Sequence, residues 1–133
     1  MRAELAELGR IAAWSAEFAR ERRLSRDLSF AIQLCIEEAL ANIIMYSGAA
    51  EQGQQIAVEL CKTDRDVVAV IEDDGRAFNP TTAAPRRHAA SIDDVQIGEL
   101  GIHLMRGFAS GMQYERRDGR NWLTLRFSPE EAA

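Results

Sequence analysis

Within the apolar stretch LSFAIQLCIEEALANIIMYS, residues 28–47, Glu38 and Asn42 stand four positions apart. On a helix this spacing sends both side chains from one face, about a turn from each other. A carboxylate can take up a proton, and an amide oxygen is a ligand for a hard cation. Burying such a pair is costly unless a partner satisfies it, and a bound metal ion would be such a partner. Taken alone, the pair fits a helix edge meeting solvent at least as well. A second group is DDGRAFNP, residues 73–80, where Asp73 and Asp74 end an apolar run at Gly75. Carboxylates at a strand end beside a glycine are placed to meet a ligand, because the glycine allows close approach to the backbone. A plain polar turn is the competing reading. The third group is GELGIHLMRGFAS, residues 98–110, where Gly98 and Gly101 open a helical pattern. Amides at a helix N-terminus carry partial positive charge and suit a phosphate.

The elements that must position these groups follow from periodicity. Residues 28–47 hold no Gly or Pro, and Phe30, Ile32, Leu34, Ile36, Leu40, Ile43 and Ile44 place apolar groups on nearly every side, so this helix should be buried. Ser25 or Asp27 can cap it, and it should stop near Gly48. Ahead of it, Arg2 to Arg23 repeats apolar residues near three and four, as an amphipathic helix does; Trp14 on that helix belongs to the core or to a dimer surface. IAVELC (56–61) and VVAVI (67–71) read as strands. Residues 76–97 show no period and contain Pro80, Pro85, Arg86, Arg87 and His88, the pattern of a lid. His103 falls on the apolar side of the third helix and should be packed. Residues 112–117 and 121–127 form a hairpin around Asp118-Gly119, with Leu123, Leu125 and Phe127 facing the core, before the acidic tail SPEEAA. Helix, helix, strand, strand, lid, helix, strand, strand makes a two-layer α+β sandwich with helices on one face of a mainly antiparallel sheet.

The chain of 133 residues is sized for a single domain, and 47% apolar with 28% charged residues is the profile of a soluble globular protein. No apolar run reaches membrane-spanning length and the N-terminus lacks the pattern of a signal peptide, so a cytoplasmic protein is expected. Cys35 and Cys61 are expected to be buried free thiols. A net charge of -5 does not favour nucleic-acid binding. Lys62 is the only lysine, and neither GxxxxGK[ST] nor an HRD loop occurs, so a P-loop and a eukaryotic-type kinase site are excluded. A nucleotide would have to be held by backbone amides, a metal ion and arginines.

In this order, Glu38-Ala-Leu-Ala-Asn42, Asp73-Asp74-Gly75-Arg-Ala-Phe78 and Gly98-Glu-Leu-Gly101 resemble the N box and the two glycine boxes of the GHKL ATPases. Within that superfamily the wording of EEALANIIMYS, DDGRAFNP and GELGIHLMRGFAS is similar to the small anti-sigma-factor serine kinases of the RsbW type, also called HATPase_c_2 domains. The resemblance runs from about Leu28 to Phe127. It implies a Bergerat-type ATP-binding fold with ATP and Mg²⁺ as its ligands. Asn42 would give its oxygen to Mg²⁺, Glu38 would act as the catalytic base, and Asp73 would accept from the adenine amino group beside Gly75. Phe78, Gly98, Leu100, Gly101 and Ile102 would complete the nucleotide site.

The reaction implied is transfer of the ATP γ-phosphoryl group to a serine or threonine of a STAS-domain anti-anti-sigma factor, by a homodimer that also holds a sigma factor. Two residues depart from the pattern. Glu99 stands where relatives often have a second glycine and places a carboxylate near the phosphates, and Tyr46 stands where many carry histidine. A partner-sequestering module without phosphotransfer is therefore the alternative. A histidine-kinase fragment is disfavoured, since no dimerisation helix with a phosphoacceptor histidine precedes the domain.

Overall fold

The structure, a computed structural model, describes residues 7–46, 55–79 and 107–128. The anticipated lid beyond Asn79, the glycine-led start of the third helix with His103, and the acidic tail after Ser128 lie outside the described residues.

Helix α1 spans Leu8–Glu21 and α2 spans Arg26–Tyr46. Between them the chain reverses through Arg23, which takes a left-handed φ of 56°, and the Leu24 amide donates to the Ala19 carbonyl at 3.0 Å. Ser25 is the cap: its Oγ accepts from the Leu28 amide at 3.1 Å. Asp27 adds a carboxylate to the positive first turn of α2.

Strands β1 (Ile56–Lys62), β2 (Val67–Asp73), β3 (Gly111–Arg117) and β4 (Arg120–Phe127) form a sheet of order β1-β2-β4-β3, every pairing antiparallel. Asp118 (φ 54°) and Gly119 (φ 74°) make the β3–β4 turn, the two positive φ values that a two-residue hairpin matching the strand twist demands. Alternation along β2 buries Val67, Ala69, Ile71 and Asp73 on one face, and β4 buries Asn121, Leu123, Leu125 and Phe127. These side chains meet Ile32, Cys35, Ile36, Ala39, Leu40 and Ile43 of α2, so α2 is the central element of the helical layer. The α+β expectation is met.

Three details differ from the sequence reading. Phe30 is 58% exposed instead of buried, because only the stripe of α2 that meets the sheet and α1 is covered; its ring makes an edge-on contact with Phe108, centroids 6.0 Å apart. Cys61 is exposed while Cys35 is buried, since Cys61 takes the outward position of the alternating strand β1. Trp14 is 41% exposed, which rules out the core reading for it.

Replacing Ser25 by Ala removes the cap of α2 and should lower stability by about 1 kcal/mol. Urea denaturation measures this, and an unchanged midpoint would contradict the assignment.

Candidate functional site

Antiparallel pairing sets the site at one end of the sheet. In the β2–β4 register Asp73 lies opposite Asn121, the last pair of the ladder, so both reach the same inward face where β2 ends. The chain leaves β2 through Asp74, Gly75 and Arg76, and Asp73 organises that exit: its Oδ1 accepts from the Gly75 amide at 2.8 Å and from Asn121 Nδ2 at 3.1 Å. Arg116 of β3 donates to the Gly75 carbonyl at 2.7 Å and to Asn121 Oδ1 at 3.1 Å. Asn121 Nδ2 also donates to the Arg76 carbonyl at 2.8 Å. The loop is thus pinned to β3 and β4 by side-chain bonds.

Opposite this strand end stands Asn42. A cleft is lined by Ala39, Asn42 and Ile43 from α2, Asp73 and Phe78 from β2 and its exit loop, and Tyr114, Asn121 and Leu123 from the β3–β4 hairpin. It encloses about 10 Å³, room for roughly one water. An aromatic base is far larger than this space.

The polar groups here are expensive. Asn42 is 2% exposed, and neither its Oδ1 nor its Nδ2 has a hydrogen-bond partner among the described residues. Buried amides are almost always bonded, so two orphaned atoms on one side chain call for a ligand that offers Nδ2 an acceptor and Oδ1 a donor or a cation. Asp74 Oδ1 is likewise buried and unpartnered. Asp73 is 1% exposed, and burial raises its pKa above the ordinary carboxylate range; Asn121, the Gly75 amide and Arg116 pull it back down, and Asp74 adds a smaller push upward. Glu38 is half-buried, with its pKa raised first by burial and then by Glu37. A carboxyl shifted this way is a better proton acceptor near neutral pH than an ordinary one.

Of the residues expected from sequence, Asn42, Asp73 and Phe78 converge on one cleft, and Gly75 is bonded to Asp73 beside it. Glu38 lies one turn before Asn42 on α2 and is not among the lining side chains. Gly98, Leu100, Gly101 and Ile102, with Glu99, fall outside the described residues. Among the described residues no cluster of three His, Cys, Asp or Glu could hold a metal by itself. Mg²⁺ is compatible with this setting, because it usually takes one or two protein oxygens and completes its shell with water and phosphate.

Sequence reading missed Asn121, Tyr114 and Arg116. A signal for Asn121 was present: it shares the inward face with Leu123, Leu125 and Phe127, and a polar residue on a core face needs partners. Tyr114 and Arg116 left none, since an edge strand beginning GMQYERR carries polar residues on both faces.

Comparison with known proteins gives a consistent picture. The profile of the family described as "Histidine kinase-like ATPase domain" matches residues 1–127. The chain is 40% identical over 112 residues to the serine/threonine-protein kinase BtrW of Bordetella bronchiseptica, covering 84% of this chain and 79% of that protein. Among solved structures, the histidine kinase domain of the Erythrobacter litoralis EL346 blue-light activated histidine kinase superposes with a TM-score of 0.60 at 14% identity. That match covers 96% of this chain and 61% of the kinase domain, so the present chain spans under two thirds of it, and at this identity it shows a shared fold.

Because burial raises the Asp73 pKa, the folded state binds a proton there more tightly than the unfolded chain does. Stability therefore falls as pH rises from the ordinary carboxylate range through the folded-state midpoint of Asp73. Asp73→Asn removes the charge while keeping an acceptor for Asn121, so it should raise the thermal midpoint at neutral pH and flatten this pH dependence. A lower midpoint at pH 7 would contradict the account.

Proposed function

The chain belongs to the histidine kinase-like ATPase domain family, and from that premise we propose that it is an ATP-dependent serine/threonine-protein kinase and anti-sigma factor whose substrate is a STAS-domain anti-anti-sigma protein. The observation that carries this reading is the pairing, across one cleft, of the unbonded Asn42 amide with the buried Asp73 carboxylate. The amide suits a magnesium-bound phosphate and the carboxylate a hydrogen-bond donor on a base. The kinase class is supported by the relationship to BtrW.

In this mechanism Asp73 accepts a hydrogen bond from the adenine 6-amino group. Gly75 keeps the backbone beside it open, and Phe78 moves to cover the ring. Asn42 would hold Mg²⁺ through Oδ1, and the ion would offset triphosphate charge. Glu38 takes the proton of the attacking serine hydroxyl as its oxygen bonds to the γ-phosphorus; the bond from γ-phosphorus to the bridging β–γ oxygen breaks, and ADP leaves. Most of the rate enhancement comes from placement and charge, with little covalent work by the protein. Gly98, Leu100, Gly101 and Ile102 are the candidates for the phosphate cradle and its lid. The unphosphorylated STAS partner and a sigma factor compete for the kinase, which acts in the cytoplasm as a homodimer.

A second reading, a nucleotide-binding switch that sequesters a partner without phosphotransfer, is favoured by Glu99, whose carboxylate stands in the phosphate-binding motif. The two readings part in a phosphotransfer assay with labelled ATP, Mg²⁺ and STAS proteins encoded nearby. The kinase reading expects labelled product, lowered at least 100-fold by Glu38→Ala with nucleotide affinity nearly kept, and lost in Asn42→Ala together with Mg²⁺-dependent affinity. ATP binding with no labelled STAS protein would overturn it in favour of the switch.

A further inference from the structure

Asn121 is the most densely bonded side chain at the site, and neither its type nor its position belongs to the three motifs. Its Nδ2 donates to Asp73 Oδ1 at 3.1 Å and to the Arg76 carbonyl at 2.8 Å. Its Oδ1 accepts from Tyr114 Oη at 2.5 Å, Arg116 Nη1 at 3.1 Å and the Phe78 amide at 3.4 Å. This pattern fixes which amide atom is which. Arginine and backbone N–H groups only donate, so turning the amide over would set its NH₂ against two obligate donors and its oxygen against two acceptors. The residue is 4% exposed, and it joins β3, β4 and the exit loop of β2 through one planar group.

We propose that Asn121 is a positioning residue that holds Asp73 as a pure hydrogen-bond acceptor and thereby sets preference for a 6-amino over a 6-oxo purine. The inference rests on the reading of Asp73 as the base-contacting residue. An ionised carboxylate only accepts, and so matches an exocyclic amino group; a protonated one can donate, and so tolerates a 6-oxo group. Burial drives Asp73 toward the protonated form, and the Asp74 carboxylate adds to that. Two direct donors oppose it, the Gly75 amide and Asn121 Nδ2, with the Arg116 guanidinium next to both. Of the two donors Asn121 alone is a side chain. The same amide holds Arg76 and Phe78, so the loop that flanks the base is placed by the group that sets the acceptor.

The test is the ratio of dissociation constants for IDP and ADP, which differ at the 6-substituent and in the proton that the 6-oxo ring carries on N1, measured by titration with Mg²⁺ on the intact protein. Wild type should favour ADP by roughly tenfold or more, the worth of one well-made hydrogen bond in a buried site. Asn121→Ala should weaken ADP by about tenfold while changing IDP by less than about threefold, so the ratio collapses. Asn121→Asp sets a second carboxylate against Asp73, makes the two share a proton, and should collapse the ratio as well. A merely structural role would weaken both nucleotides together and keep the ratio. A wild-type ratio in Asn121→Ala would overturn the inference. If neither Asn121 variant folds, Tyr114→Phe, which deletes one donor to Asn121 Oδ1, decides: a lowered ratio supports the inference and an unchanged one overturns it. Asp73→Asn separates the two layers. If it leaves ADP affinity and the ratio intact, the reading of Asp73 fails and the inference falls with it; if it abolishes ADP preference while Asn121→Ala does not, only the inference falls.

Discussion

Desolvation of polar side chains where α2 faces the end of β2 is the constraint on which the site depends. Asn42 is buried with both amide atoms unbonded among the described residues, and Asp73 is buried as a carboxylate whose pKa is raised by that burial. Packing needs neither. An apolar residue of similar volume at either position would be expected to stabilise the fold. The arrangement is intelligible as binding capacity held in reserve, in which a ligand restores the hydrogen bonds and charge balance that folding has removed.

The rest of the architecture keeps these groups in place. Alternation along β2 puts Asp73 on the face of Val67, Ala69 and Ile71, and antiparallel register sets it against Asn121. A one-residue slip of β4 would turn Asn121 outward and present Trp122 in its stead. The turn at Asp118-Gly119 guards that register, and an inward row of Leu123, Leu125 and Phe127 ties it to the core. On the other side, the stripe from Ile32 to Ile43 fixes the rotation of α2 and so the direction in which Asn42 points. Glu38, one turn away and half-buried, keeps access to solvent.

Much of this was legible in the sequence, and the limits are physical. Periodicity revealed α2, the four strands and the hairpin turn because burial on one face and a tight turn leave local signatures. Glu38, Asn42 and Asp73 stood out because polar residues in apolar runs break those signatures. The exposure of Phe30 and Cys61 was not legible, since which part of a helix or strand is covered depends on neighbours distant in sequence. Asn121 went unnoticed because its importance comes from bonds to residues 43 to 48 positions away, across β2 and its exit loop. Arg116 shares that difficulty, reaching Gly75 from another strand.

The central claim is that the orphaned Asn42 amide exists to meet a magnesium-bound nucleotide. Side-chain amide NMR tests it most directly, with the Asn42 NH₂ pair assigned through its loss in Asn42→Asp and followed through titrations with ADP alone and with ADP plus Mg²⁺. The account predicts that the pair shifts strongly only when metal and nucleotide are both present. Saturable ADP binding that leaves the Asn42 resonances unmoved, with and without Mg²⁺, would contradict it.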